Sequence, residues 1–183
     1  MKKQVILITD GDLEAQEAII QACKNEDIYL VMESAGTPTP KTGAGLAREI
    51  KNAPGDPVVV MLDDHGKAGK GNGERALQHL LADDELEILG VIAVASNTRK
   101  EFGVKVDESV DRNGRIVDRP VDKNGRMEPD GHYLLEGDTV DILSYFPEIK
   151  VIGVGDLGKM KGRDDPSRGA HITTRCLQEL LYE

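Results

Sequence analysis

Short apolar runs, mostly β-branched, alternate along the chain with segments whose apolar positions recur every three or four residues. That alternation of strand and helix periods is the signature of repeated βα units. The run Val5-Ile-Leu-Ile-Thr9 is apolar on both faces, as a central parallel strand requires. Asp12 is placed to cap a following helix whose inner face carries Leu13, Ala18, Ile19, Ala22 and Cys23. Ile28–Met32 predicts a second strand, and Leu46, Ala47 and Ile50 mark a second helix beyond the turn-rich stretch 34–40. Pro57–Leu62 predicts the third strand, Glu74–Leu81 a helix, and Ile88–Ala95 the fourth strand. Val151–Val154 reads as a further core strand, followed by a helix with Ile172, Cys176, Leu177, Leu180 and Leu181 on one face. The expected class is α/β: a three-layer α/β/α sandwich around a largely parallel, Rossmann-like sheet, with the strand order undetermined.

Residues 102–135 depart from this pattern. They are polar and contain two similar turns, Asp111-Arg-Asn-Gly114 and Asp122-Lys-Asn-Gly125. Asn-Gly between short alternating segments is a hairpin signal, so an inserted β-hairpin or small antiparallel extension is expected here. The turns share Asp and Asn positions with a calcium-binding helix–loop–helix, but the full ligand ladder and its terminal Glu are missing.

Composition narrows the partners. With 183 residues the chain suits one core better than two, so residues 1–183 are expected to form a single domain. Trp is absent and there are only two Phe, which leaves Val, Ile, Leu, Met and Ala to fill that core. A formal charge of −10 disfavours both nucleic-acid binding and contact with anionic lipid headgroups. The best local basic run, Lys159–Arg163, is followed at once by Asp164 and Asp165. Cys23 and Cys176 fall on apolar helix faces, with neither the spacing of a metal site nor a disulfide framework. No apolar stretch is long enough for a signal peptide or a membrane span, so a cytoplasmic protein without direct membrane insertion is expected.

In parallel α/β sheets, ligands bind beyond the carboxyl ends of the strands. The predicted strands there deliver Thr9, Asp10, Gly11 and Asp12; Ser34 and Gly36; Asp63, Asp64 and His65; Ser96, Asn97 and Thr98; and Gly155, Asp156, Gly158 and Lys159. Asp10, Asp12, Asp63, Asp64 and Asp156 together suit Mg²⁺, which takes a few oxygen ligands and keeps some water. Carboxylates so placed also serve as nucleophile or acid/base, and Asp10 and Asp12 are the candidates. The plainer alternative is that each Asp at a strand-to-helix junction caps its helix, and the sequence is consistent with both readings. The run Gly66–Gly73, with Gly69, Gly71 and Gly73, is suited to wrapping a phosphate or to forming a surface loop. It matches neither a Walker A loop nor GxGxxG spacing. Ser34, Gly36, Ser96, Asn97 and Lys159 complete the candidate ligand-binding set.

The segments Ile8-Thr-Asp-Gly-Asp12, Ser34-Ala-Gly-Thr-Pro38, Asp56-Pro-Val-Val-Val-Met-Leu-Asp-Asp64, Gly90-Val-Ile-Ala-Val-Ala-Ser-Asn97, Gly137-Asp-Thr-Val140 and Gly155-Asp-Leu-Gly-Lys-Met160 recur in order along almost the whole chain. As a set they resemble the soluble stage V sporulation protein AE family. The resemblance implies a non-enzymatic accessory of dipicolinic-acid uptake and release in endospores. It implies partners among other spore dipicolinic-acid transport proteins and a peripheral place at the spore inner membrane, reached through those partners. It brings no catalytic residues with it.

A second resemblance, to haloacid-dehalogenase-like phosphohydrolases, implies Asp10 as nucleophile and Asp12 as acid/base. It also implies Ser34 and Lys159 on phosphate, with Asp156 and Asp164 on Mg²⁺. The chain departs from that pattern in having Leu13-Glu14 after the Asp pair and in placing Lys159 after the Gly-Asp pair.

Overall fold

In the computed structural model, which describes residues 1–65, 70–96 and 103–182, the apolar runs form strands of one seven-stranded sheet. The strands are β1 (Lys3–Ile8), β2 (Tyr29–Leu30), β3 (Val58–Met61), β4 (Leu86–Val94), β5 (Glu108–Val110), β6 (Ile116–Val117) and β7 (Val151–Val154). The helices are α1 (Leu13–Asn25), α2 (Gly43–Asn52), α3 (Asn72–Leu81) and α4 (His171–Leu181). The sheet order is β2-β3-β1-β4-β7-β5-β6, and every pairing is parallel except that of β5 with β6.

Strand alternation divides the core into two layers. Val5 and Leu7 of β1, Val58 and Val60 of β3, and Val91 and Ala93 of β4 face α2 and α3. Ile6 and Ile8, Val59 and Met61, and Ile92 and Val94 face α1 and α4. Because both faces are covered, β1 and β3 are apolar at every central position, which is why they read as continuous runs. The result is the expected three-layer sandwich. Cys23 and Cys176 lie in the α1/α4 layer as buried free thiols, where burial pushes the Cys23 thiol up to about 12.

Two elements differ from the sequence reading. The second strand is only Tyr29–Leu30, because the chain turns into a 3₁₀ helix at Met32–Ser34. The polar extension does contain a hairpin, β5–β6, yet β5 also pairs parallel with β7 and so continues the main sheet. Gly153 makes this approach possible, since a Cβ there would stand 2.4 Å from the Ser109 hydroxyl. The isolated bridge Val121–Met127 closes the second Asn-Gly turn beside the first.

Candidate functional site

The strand order puts a crossover at β1, where the chain leaves toward β2 and β3 on one side and β4 and β7 on the other. A cleft of about 270 Å³ opens there, at the carboxyl ends of β1, β3, β4 and β7. Thr9, Asp10, Asp12, Asp63, Ser96 and Asp156 line it, together with Thr37, His65, Val94 and Asp138. Four of the five carboxylates singled out from sequence therefore converge, and Asp64 does not.

Asp10 leaves β1 with its Oδ1 accepting the Gly11 N–H at 2.8 Å and the Asp12 N–H at 3.3 Å. Burial, with Asp12 and Asp63 nearby, nevertheless pushes its carboxyl up to about 7. Burial acts on Asp12 as well, but the Ala15 N–H at 2.9 Å and the Lys159 ammonium at 2.8 Å outweigh it and hold its carboxyl below the ordinary value. Asp156 is pushed up by burial, with Asp12 adding and Lys159 opposing. Lys159 itself is raised despite its partial burial, because Asp12 accepts its hydrogen bond and Asp156 and Asp10 add negative charge. Asp63 is 8% exposed; its Oδ1 accepts the His65 N–H at 3.2 Å, while Oδ2 meets no donor among the described residues. The His65 imidazole shares a hydrogen bond of 3.1 Å with the Thr37 hydroxyl, and Ser96 Oγ accepts the Asp138 N–H at 3.1 Å.

Asp64 and Asp164 are turned into the protein instead. Asp64 is buried: its Oδ1 accepts the Gly73 N–H at 2.7 Å, and its Oδ2 accepts the Glu74 N–H at 2.8 Å and the Thr139 hydroxyl at 3.2 Å. The start of α3, where the sequence suggested a phosphate cradle, thus already holds the chain's own carboxylate. Gly71 and Gly73 serve that contact, for a Cβ on Gly71 would meet Asp64 Oδ1 at 2.0 Å. One on Gly73 would meet the Asp63 carbonyl oxygen at 2.5 Å. Gly73→Ala is therefore expected to destabilise the protein by about 2–3 kcal/mol, the upper range for overpacking. Denaturant unfolding measures this, and an unchanged midpoint would refute the packing role.

Asp164, suggested as a metal ligand, is fully buried and is likewise committed to backbone and hydroxyl donors. Ser34 is fully buried too: its hydroxyl donates to the Val31 carbonyl at 2.6 Å and accepts the Met61 N–H at 2.9 Å, so it does not face the cleft. Gly36 and Gly71 are not among the residues that line it. Gly69 and Asn97 lie outside the described residues. Among the described residues, no group of three or more His, Cys, Asp or Glu side chains is preassembled at metal-binding distances.

Sequence reasoning assigned no role to Thr37 or Asp138. Thr37 follows Gly36 in the loop after β2, and Asp138 lies in a long connection far from any strand end, so neither stood at the first positions beyond a strand.

Chemically the cleft is an acidic pocket whose neighbouring helix starts offer little to an anion. Asp12 caps α1, Asp64 caps α3, and Asp164 accepts the Ile172 and Thr173 N–H groups at the start of α4. The family profile described as stage V sporulation protein AE1 matches residues 4–183. Comparison with curated proteins and with solved structures gives no match.

Proposed function

The chain belongs to the stage V sporulation protein AE1 family, and from that premise we propose that this sporulation protein assists dipicolinic-acid movement in endospores without catalysing a reaction. In this reading it holds a divalent cation, Ca²⁺ or Mg²⁺, in the acidic cleft. The observation that carries the cation reading is the division of labour among the acids. The donors at the starts of α1, α3 and α4 are taken by Asp12, Asp64 and Asp164, whereas Asp10, Asp63 and Asp156 line the cleft, Asp10 and Asp63 each with one oxygen, Oδ1, on nearby loop N–H groups. Burial raises Asp10 most and repulsion from Asp12 and Asp63 adds to it; a dication would offset both, and hard oxygen ligands suit it. Among the described residues no helix is long and apolar enough to cross a membrane, so a peripheral place through protein partners remains part of the proposal.

Calorimetric titration of Ca²⁺ and of Mg²⁺ into the protein tests the cation. Saturable binding is expected, weakened by roughly 10- to 100-fold in Asp63→Asn, the range seen when a supporting partner is lost at a metal site. Absence of binding, or equal affinity in the variant, would remove the cation from the proposal. Spores carrying Asp63→Asn are expected to contain less dipicolinate; unchanged content would separate the cleft from that role.

The Asp12–Lys159 pair of 2.8 Å beside Asp10 favours a second reading, a Mg²⁺-dependent phosphohydrolase with Asp10 as nucleophile. Burial of Ser34 and the internal commitment of Asp164 remove two parts of the arrangement which that chemistry uses. Hydrolysis of p-nitrophenyl phosphate with Mg²⁺, abolished in Asp10→Asn, would support this reading. Background rates in both proteins would end it.

A further inference from the structure

The extension carrying β5 and β6 contains one five-residue loop twice: Asp111-Arg-Asn-Gly-Arg115 and Asp122-Lys-Asn-Gly-Arg126. In each loop one aspartate oxygen is held by the loop's own backbone. Asp111 Oδ1 accepts the Asn113 and Arg115 N–H groups at 2.7 and 2.9 Å, and Asp122 Oδ1 accepts those of Asn124 and Arg126 at 2.8 and 2.9 Å. The fourth residue has a positive φ in both, +77° at Gly114 and +70° at Gly125, which keeps the turns tight.

The loops are fixed side by side. The Arg112 N–H donates to the Gly125 carbonyl at 2.8 Å, and the Asp156 N–H donates to the Lys123 carbonyl at 2.8 Å, which ties the second loop to the end of β7. Arg163 Nη1 donates to Asn113 Oδ1 at 2.8 Å. Two cations from each loop, at its second and fifth positions, therefore share one rigid patch with Lys161 and Arg163. Arg115, Arg126, Lys161 and Arg163 are exposed, and Arg112 and Lys123 are half-buried. Arg112, Arg115, Arg126 and Lys161 have no carboxylate in ion-pair contact among the described residues, whereas nearby Arg119 is paired with Asp130.

Cations left unpaired in a rigid array, on a chain of net charge −10, suit a polyanionic partner. We propose that this double-loop patch docks a carboxylate-rich segment of a partner protein. Its position decides against a wide polyanion. Asp156 adjoins the patch and opens onto the acidic cleft, so a bilayer or a nucleic-acid duplex laid on the loops would press its phosphates toward Asp10, Asp12 and Asp156. A single extended segment presents its carboxylates to the loop cations without laying a broad anionic face over that edge. The inference goes beyond the cleft reading and does not depend on a cation there.

The test is fluorescence anisotropy of a labelled deca-glutamate peptide titrated with the whole protein at low salt. Binding is expected to weaken with added salt. It should fall about 30-fold when Arg112, Arg115, Lys123 and Arg126 are all replaced by serine, from four exposed ion pairs of modest strength. Neutralising Lys2, Lys24, Lys41 and Lys70 instead should leave binding intact. If the fourfold variant does not fold, the pair Arg115→Ser and Arg126→Ser carries the same comparison, with smaller loss. No binding by the unmodified protein, or equal loss in both neutralised sets, would overturn the proposal. So would capture by vesicles containing phosphatidylserine, or by a DNA duplex, in preference to the peptide.

Discussion

Replacing Asp164 with alanine is expected to cost about 4 kcal/mol of stability and to lower the melting temperature by about 10–15 °C. The carboxylate is fully buried and accepts four hydrogen bonds, from the N–H groups of Gly158, Ile172 and Thr173 at 2.8, 3.0 and 2.9 Å and from the Thr173 hydroxyl at 2.6 Å. Hydrogen bonds to an ionised acceptor each contribute about 1.5–3 kcal/mol net, and alanine would strand all four donors in a dry interior. The loss is less than the sum because water can enter the space left behind.

No side chain at Ala170 caps α4, so Asp164 is the acceptor for that helix start. It also anchors Gly158, next to Lys159, and the damage should extend to the cleft. Asp164→Asn should cost about half as much, since one oxygen still accepts. Urea unfolding of both variants makes the measurement. A loss below about 1 kcal/mol for alanine would show that water replaces the carboxylate and that the anchor is dispensable.

Much of this was legible beforehand, for identifiable reasons. The double-sided apolar runs at Val5–Ile8 and Val58–Met61 could be nothing but buried strands, and the helix faces with Ile19, Leu46 and Leu177 required a layer on either side. The place of the cleft was legible, because the loops that leave the carboxyl ends of parallel strands part there.

What the sequence could not separate were acids of the same type at the same kind of junction. Asp63 and Asp64 are adjacent, yet one turns into the cleft and the other into the start of α3. That choice depends on how closely Gly71 and Gly73 let the helix approach, a packing fact without a local signal. Asp12 and Asp164 divide as well: each accepts N–H groups at a helix start, which the capping alternative gave for Asp12 alone, and only Asp12 also lines the cleft. The extension was recognised from its Asn-Gly turns, but its parallel pairing to β7 joins residues far apart in the chain, and no short-range pattern encodes that.

Asp10→Asn is expected to stabilise the protein at pH 8 and to have little effect at pH 4. The sign follows from linkage. Asp10 has a carboxyl raised to about 7, so the folded protein holds a proton that the unfolded chain releases at the ordinary value of 3.8. Below that value both states are protonated and nothing is lost. As pH rises between the two values the unfolded state gains, and above about 7 the full penalty stands.

The size of the shift caps the penalty at about 4 kcal/mol, and solvent in the open cleft reduces it to about 1–3 kcal/mol. Asparagine carries no charge and its Oδ1 can still accept the Gly11 and Asp12 N–H groups, so the variant should escape the penalty without losing the turn. Thermal unfolding of both proteins across this pH range tests the claim; a variant that melts below the parent at pH 8 would contradict it. Adding Ca²⁺ should close the gap at pH 8 by stabilising only the parent, because a ligand bound to the folded state adds to its stability. For a carboxylate held at such a cost where four strands end, the closing of that gap by a cation is what would separate a ligand site from simple strain.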